Sequence, residues 1–480
     1  MNLTKPFYYL VILAITFLLY EQSLGLNAFL ISSLSVGYLA NFNWSNRSRY
    51  WWFSAILWNL SGLGLFLSHT TIGASLYIIT GFHFISVNVN NQQSFPFSFV
   101  ASVFSFFLGV GHFFMKKLPE NDQIEAGTTE KSIVKKILIY TIPLFIVLFF
   151  LKLYQFANPD FAELTAFISL EFIEWQFFIL YGLLMIFLYG IYNFHLWEQI
   201  KTWDKNSSNT ISKGYKDTIQ DSLGLDGENK MAVMLIGTLT LLLITFLVID
   251  ANTLFFGAEQ TLTHSEYVHL GINILITSIV FVILIVTYVF RGGLNFTDNR
   301  FVKLLTYVWL GLNLILTGFN AIKNFNYISD WGMTHKRIGV YIYLSLCVIG
   351  LIITIYKVRS KQSFVFIIRK VSISFMTVLV VFSLINWNGF IANYNLNDQR
   401  FEVHKVDLIY NLNLGPEAYP AVLNYIQKHK GEVDIYAVDE FDYLITRFKR
   451  NYYQSWRDFP SLKISDLMIN NALLDYQPRY

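Results

Sequence analysis

The chain has 480 residues, of which 54% are hydrophobic, 18% aromatic and only 14% charged, with a formal net charge of +3. Soluble domains carry about 25% charged residues, and their wetted surface cannot hold so much Phe, Leu and Ile. The composition therefore excludes an ordinary soluble enzyme, a coiled coil and a disordered chain, and it predicts a protein embedded in the lipid bilayer. The small, dispersed positive charge argues against nucleic acid as a partner.

Long apolar runs predict an all-α polytopic integral membrane protein. A helix of roughly 20 apolar residues crosses the ~30 Å hydrocarbon layer and satisfies its own backbone groups. For the first two runs, a tight helical hairpin around Glu21–Gly25 is preferred over a single signal-anchor span. In chain order we predict twelve transmembrane helices, at 6–20, 25–41, 51–68, 71–89, 96–115, 137–155, 176–194, 231–254, 270–290, 304–322, 338–356 and 371–390.

Polar segments interrupt and follow this apolar series. Residues 116–136 and 195–230 are rich in Gly, Ser, Asn and mixed charge, which predicts exposed loops. Residues 157–175 are amphipathic at helical spacing and predict either an interfacial helix or an extended start to the next span.

The chain leaves the apolar regime after Phe390. We therefore predict two domains, a transmembrane helical domain over 1–390 and a small C-terminal extramembrane domain over 391–480. Helix-like runs in this tail lie near 416–430, 437–450 and 464–475. Its acidic residues Asp434, Asp439, Glu440 and Asp442 are interpreted as a solvated face.

The basic loops predict the orientation. Lys and Arg near span ends favour the cytoplasmic side. Four loops that share one side, 116–136, 195–230, 291–303 and 357–370, hold 18 Lys and Arg, against 7 on the opposite side. The charge bias predicts a multi-pass protein of the cell (inner) membrane whose C-terminal domain is extracytoplasmic, where it could recruit a protein partner.

The densest polar constellation joins the predicted eighth and ninth spans. Asp250 closes the eighth, and Glu266 and His269, three residues apart on one helix face, open the ninth. One hypothesis is that Glu266 and His269 relay a proton or hold a cation; the alternative is capping of the helix N-terminus. His264, Glu266 and His269 lack the spacing of a zinc peptidase motif, and no metal site is predicted.

Arg337 is the second candidate. It lies in the first turn of a predicted span, where the helix dipole disfavours a cation, so it needs a partner. The hypothesis is an ion pair with Asp250 or Glu266; the alternative is that Arg337 extends to lipid phosphate. Together Asp250, Glu266, His269 and Arg337 form the predicted binding site.

Motifs of soluble catalysis are absent from the sequence. No GxSxG, HExxH, P-loop or GxGxxG pattern occurs, and Cys347 is the single cysteine. His83 lies in an apolar run and is interpreted as a satisfied buried group. We predict no catalytic residue, no metal and no cofactor.

Several segments carry a family resemblance. They are Glu266-Tyr267-x-His269-x-Gly271, Trp331 to Arg337, Asn393-Tyr394-Asn395-Leu396, Val406 to Tyr410, Gly25-Leu26-Asn27 after Glu21, and Asn158-Pro159. In these segments the chain resembles bacterial polytopic membrane proteins of the DUF4173/DUF4153 type, over nearly its whole length. The family more often has Arg in place of His269 and Tyr in place of Trp331. The resemblance implies a membrane-embedded bacterial protein and supplies no activity to transfer.

Two main functions are compatible with these features. The first is transport, or another ion- or proton-coupled process, at Asp250, Glu266 and Arg337. The second is a non-enzymatic membrane scaffold or sensor that uses its outward tail. A membrane transferase acting on a lipid-linked substrate is a more distant alternative. Transport predicts polar groups that reach deep into the membrane, whereas a scaffold predicts the same groups paired at its rim.

Overall fold

A computed structural model describes most of the chain. The described segments are 7–41, 47–68, 71–89, 94–100, 102, 175–192, 204, 206–213, 218–256, 264–297, 299–397, 407–429, 432–451, 456–473 and 476. The predicted span at 137–155 and the loop at 116–136 lie outside these segments, as do most of the span at 96–115 and all but the last residue of the amphipathic segment at 157–175.

Regular structure in the described segments is helical, apart from one isolated bridge between Thr210 and Gln362, which confirms the all-α class. The chain divides into two compact units. The first comprises residues 1–93, 97–202 and 454–463, and the second comprises 94–96, 203–453 and 464–480. The predicted boundary at residue 390 concerns the membrane surface, which these units do not locate, so the division into 1–390 and 391–480 stays a prediction.

The first unit contains helices rich in aromatic and small residues. Buried side chains such as Trp51, Trp58 and Phe84 form its core, and the rings of Trp51 and Trp58 both contact Phe84. Its helices are α1 (Phe7–Leu19), α2 (Leu26–Asn41), α3 (Arg49–Leu67), α4 (Thr71–Val89) and α5 (Trp175–Tyr192).

The predicted hairpin between the first two apolar runs is present as two helices. Buried Asn27 fixes the connection: its amide nitrogen donates to the carbonyls of Leu18 and Ser23, and its carbonyl oxygen accepts from the backbone N–H of Gly25 and Ala28. These four bonds satisfy backbone groups that helix ends leave open. One side chain therefore joins the end of α1 to the start of α2.

The second unit contains the longest helices. Its apolar core includes Trp309, Leu310, Leu344 and Leu351. The helices are α6 (Thr218–Phe256), α7 (His264–Val289), α8 (Arg300–Trp331), α9 (His335–Arg359) and α10 (Phe364–Ser383). Ser363 and Thr334 cap α10 and α9, each accepting a backbone N–H with its hydroxyl.

Four helices in the described segments are long and apolar enough to cross a membrane. They are Gly224–Phe256, Arg300–Trp331, His335–Arg359 and Phe364–Ser383. The described segments also contain shorter apolar helices, such as Leu26–Ala40 and Thr277–Val289. These helices and the composition indicate a membrane protein, while the number of twelve spans stays a prediction.

Several helix boundaries differ from the sequence prediction, and the next two illustrate the reasons. Residues 218–230 are helical rather than a loop, and α6 continues through a kink at Gly224, which has a φ of +67°. The last apolar helix is α10, Phe364–Ser383, rather than 371–390, because the Ser363 cap starts the helix before Arg369 and Lys370. The Ser363 cap therefore decided where α10 begins, and Arg369 and Lys370, which were predicted to lie in a loop, are helical.

The tail forms helices close to the predicted runs. They are α11 (Trp387–Asn397), α12 (Leu408–Asn413), α13 (Tyr419–Lys428), α14 (Ile435–Asn451) and α15 (Ile464–Ala472). Their buried side chains, among them Leu412, Val422, Phe441 and Ile469, form a separate core.

The interpretation of Asp442 as part of a solvated face was wrong. Its side chain is buried in the tail core and accepts a 2.5 Å hydrogen bond from the phenol of Tyr476. Asp442 lies one position from Phe441 on the inner face of α14, and a buried carboxylate needs a donor of this kind.

Gly25 lies against backbone, which makes it a sensitive position of the first unit. A Cβ at Gly25 would lie 2.6 Å from the carbonyl oxygen of Ser461 and 2.7 Å from that of Leu462. Leu462 also accepts a hydrogen bond from the N–H of Leu26 at 2.9 Å, so the backbone cannot easily withdraw.

We predict that Gly25→Ala destabilises the protein by about 1–3 kcal/mol, the usual cost of overpacking, measured as a lower Tm in detergent. Gly37→Ala is the matched control, because a Cβ at Gly37 in α2 meets no atom within 4 Å. An equal or higher Tm for Gly25→Ala would contradict the contact with residues 461 and 462.

Candidate functional site

Helix α8 carries a buried polar face. Thr306, Asn313, Thr317, Asn320 and Asn324 are each at most 4% exposed. They are separated by seven, four, three and four residues, a spacing that places all five on one face of the helix. In a helix that is apolar enough to span a membrane, polar side chains are expected to face the protein interior.

Most hydrogen bonds of this face stay within α8. The amides of Asn313 and Asn320 donate to the carbonyls of Trp309 and Leu316, and the hydroxyl of Thr317 donates to that of Asn313. The amide of Asn324 instead donates to the carbonyl of Arg337 on α9, at 3.0 Å. The hydroxyl of Thr306 likewise donates to the carbonyl of Val302. Four of the five residues of the polar face therefore donate a hydrogen bond within α8 itself.

A buried ion pair lies beside this face. The ammonium of Lys323 on α8 donates to the Oδ1 of Asp250 on α6 at 2.5 Å, and the side chains are 8% and 6% exposed. Short charge-assisted bonds of this kind are about twice as strong as neutral ones. The pair therefore ties α6 to α8 within a core of apolar side chains.

Asp250 is the predicted site residue for which the structure supplies a charged partner. That partner is Lys323, which we had counted among the loop charges because the predicted span ended at residue 322. Helix α8 continues to Trp331, so Lys323 lies inside it. The periodic Asn and Thr residues continue to Asn324, and this pattern is the signal that could have identified the longer helix.

Glu266 and His269 lie in the first two turns of α7, which begins at His264. Both residues are helical and lie three positions apart, the spacing on which their shared face was predicted. Their side chains lie outside the described part of the structure. The proton relay, the cation site and the capping alternative therefore stay predictions.

Arg337 contacts the end of the preceding helix. Its Nη1 donates to the carbonyl of Trp331 at 2.7 Å and to that of Gly332, and its guanidinium lies 3.9 Å from the ring centre of Tyr327. A cation is stabilised where a helix ends, because the last carbonyls carry partial negative charge. The C-terminal end of α8 thus offsets the unfavourable position of Arg337 at the start of α9. The predicted pair with Glu266 stays a prediction.

The α8–α9 turn is clamped by the tail. The amide oxygen of Asn395 accepts from the N–H of Met333 at 2.6 Å, and its amide nitrogen donates to the carbonyl of Met333 at 3.0 Å and to Asn411 at 3.2 Å. Gly332 has a φ of +78°, and a Cβ there would lie 2.9 Å from the Asn395 amide oxygen. A glycine at 332 therefore permits both the turn and the clamp.

Tyr410 completes this junction. Burial raises the pKa of Tyr410, while a hydrogen bond with the backbone of His335 and the positive charge of Arg337 act to lower it. Asp407 caps the helix that carries Tyr410, accepting its N–H at 2.8 Å. Three segments that carry the resemblance, at 331–337, 393–396 and 407–410, thus meet at one turn.

Two further ion pairs lie in the second unit. Arg369 donates to the carboxylate of buried Asp204 at 2.7 Å, and Ser94 donates to the same carboxylate through its N–H and hydroxyl. Arg291 pairs with buried Glu228 at 2.7 Å. Neither pair was predicted from the sequence, because Asp204 and Glu228 lie in the segment 195–230, which was interpreted as an exposed loop.

Metal ligation has no support in the described segments, in which no group of three or more His, Cys, Asp or Glu could hold an ion. The predictions that the protein uses no metal and no cofactor stay predictions.

The buried polar face, the ion pair and the long apolar helices define a helical membrane protein with charged groups inside its apolar helices. A family model described as a domain of unknown function, DUF4153, matches residues 10–425. The chain belongs to this family, which confirms the resemblance. No curated protein and no solved structure matches it.

The Asn395 clamp makes a testable prediction. Asn395→Ala removes three hydrogen bonds and leaves the half-buried N–H of Met333 without its partner, at a cost of about 1–3 kcal/mol. Asn393→Ala is the matched control, because the amide of Asn393 donates only within α11, to the carbonyl of Gly389. We expect a lower Tm for Asn395→Ala than for Asn393→Ala, and equal values would show that the clamp is not stabilising.

Proposed function

We propose that this membrane protein transports an ion or a solute in an ion- or proton-coupled process, and that Asp250 with Lys323 is the coupling site. The buried ion pair between α6 and α8 carries this proposal. A charge within the hydrocarbon region costs about 2.5–3.5 kcal/mol on insertion scales, so paired charges there are functional candidates.

The position of the pair along its two helices supports this proposal. Lys323 lies eight residues before the end of α8, which is roughly 12 Å along the helix axis. Asp250 lies six residues before the end of α6. Neither side chain belongs to the last turn of its helix, and both are buried. This favours a charged group within the membrane over a structural contact at its surface.

Stability alone does not explain the pair. A buried ion pair contributes little net stability, because removing both charges from water offsets their attraction. Apolar residues of similar size commonly stabilise the same position as well or better. A site that must bind or release a charge during function gives a reason to keep two ionisable groups there.

A scaffold or sensor is the second candidate, and the Asn395 clamp favours it. The tail holds the backbone of the α8–α9 turn through Met333, so a partner that moved the tail would pull on two membrane helices. In this proposal an extracytoplasmic tail recruits the partner and α8 transmits the movement. The basic loops support the orientation, with the tail outside the inner membrane of a bacterial cell. The transferase alternative gains no contact that favours it.

Flux measurement in proteoliposomes tests the first proposal. The purified protein is reconstituted, gradients of H⁺, Na⁺ or K⁺ are imposed in turn, and ion entry is followed with dyes inside the vesicles. We predict flux above that of protein-free vesicles for one of these ions. Asp250→Asn is expected to reduce this flux to the background, because the neutral amide cannot exchange a charge with Lys323.

Glu228→Gln is the matched control, because it also breaks a buried ion pair, with Arg291, at a different place in the second unit. It is expected to retain the flux. Absence of flux for all three ions would contradict the transport proposal. Wild-type flux in Asp250→Asn would contradict the role of Asp250.

A further inference from the structure

We propose that the buried polar face of α8 is a proton path that runs from Thr306 to the pair of Asp250 and Lys323. This inference rests on the proposed function and narrows it to one ion and one route. The route is formed by Thr306, Asn313, Thr317, Asn320 and Asn324.

The length of the polar face fits the thickness of a membrane. Thr306 and Asn324 are 18 residues apart, which is roughly 27 Å along a helix. The hydrocarbon layer is about 30 Å thick. Polar side chains therefore recur at every one or two turns of α8 through almost the whole layer, and the ion pair lies at one end of this series.

Helix association does not account for these residues. Polar side chains in membrane helices commonly bond across to a neighbouring helix. Here Thr306, Asn313, Thr317 and Asn320 each donate a hydrogen bond to the carbonyl four residues earlier in α8 itself. What these residues add to the bundle interior is a row of hydroxyl and amide oxygens, which can accept hydrogen bonds from water.

The ion pair favours a proton over a metal cation. A metal cation at the carboxylate of Asp250 would lie beside the ammonium of Lys323, 2.5 Å from Oδ1, and would be repelled. A proton instead binds to the carboxylate itself, which neutralises Asp250 and releases Lys323 from the pair. When the proton leaves to the other side, the pair forms again, so one proton enters for each that departs.

Other charged residues lie toward the same end of the bundle. Lys323 faces Asp250 from α8, Glu266 and His269 lie in the first turns of α7, and Arg337 begins α9. Arg337 is directed to the carbonyls at the end of α8. Lys323 is the charged group that the structure pairs with the carboxylate of Asp250.

A matched pair of threonines tests the path. Thr317 and Thr354 are both at most 2% exposed, and each hydroxyl donates at 2.8 Å to the carbonyl four residues earlier. Only Thr317 lies on the polar face of α8, since Thr354 lies on α9. Val has nearly the same shape as Thr, so the change to Val at either position removes one hydroxyl from the interior and keeps the shape of the side chain.

Proton entry into proteoliposomes is measured with a pH dye under an imposed pH gradient. Thr317→Val and Asn313→Leu are expected to lower the initial rate by about fivefold to tenfold, the factor for losing one hydrogen-bonding group. Thr354→Val is expected to keep the wild-type rate, and Asn313→Gln, which keeps the amide, is expected to exceed Asn313→Leu. Equal rates in Thr317→Val and Thr354→Val would overturn the path.

Cysteine labelling gives a measurement that does not depend on flux. The native Cys347 is buried and is replaced by Ala, and single cysteines are placed at Asn313 and Asn320. A small charged thiol reagent is expected to modify both, because water enters the path. Ile315→Cys is the control, since residue 315 is 49% exposed on the apolar surface of α8. If neither interior cysteine reacts faster than the control, the path is overturned.

The outcomes separate this inference from the proposed function. Flux of Na⁺ or K⁺ without proton flux, abolished by Asp250→Asn, would overturn the proton path and support the transport function. Absence of flux for every ion would overturn both. Proton flux that depends on Thr317 and Asn313, together with labelling at Asn313 and Asn320, would support both.

Discussion

The attraction between Asp250 and Lys323 within a lipid-embedded helix bundle is the interaction on which the functional account depends. A charge buried among apolar side chains is tolerated when an opposite charge lies within hydrogen-bond distance, as it does here at 2.5 Å. Because the pair joins α6 to α8, the polar face of α8 ends beside two charged side chains inside the protein. Without the pair, Asn313, Thr317 and Asn320 would still share one face of α8, but that face would have no ion pair beside it.

In the described segments the sequence predicted the helical class and most helix positions, because apolar runs of about 20 residues have few alternatives in a membrane. It also predicted the tail helices near 416–430, 437–450 and 464–475. Helix ends were predicted less well. The hydroxyl of Ser363 starts α10 seven residues before the predicted 371, and α8 extends nine residues beyond the predicted 322. Capping and the polar periodicity decided these ends, and hydropathy does not report either.

The same error explains what was missed at the candidate site. Asp250 and Arg337 were identified from sequence because single charges at span ends stand out from apolar surroundings. Lys323 was assigned to a loop, and its partner was therefore not found. Which carboxylate meets which cation depends on how α6, α8 and α9 pack, and this information is distributed over many apolar contacts. The segments around Met333, Asn395 and Asn411 meet for the same reason, although up to 78 residues separate them in sequence.

A double-mutant cycle on thermal unfolding in detergent tests the central claim most directly. Asp250→Asn and Lys323→Met each leave one buried charge without its partner, a change that costs about 3–5 kcal/mol in other proteins. The double variant removes both charges. We predict that it is more stable than either single variant, because the two costs are coupled through the ion pair. Additive losses of stability in the double variant would show that Asp250 and Lys323 do not interact, and the proposed coupling site would be wrong.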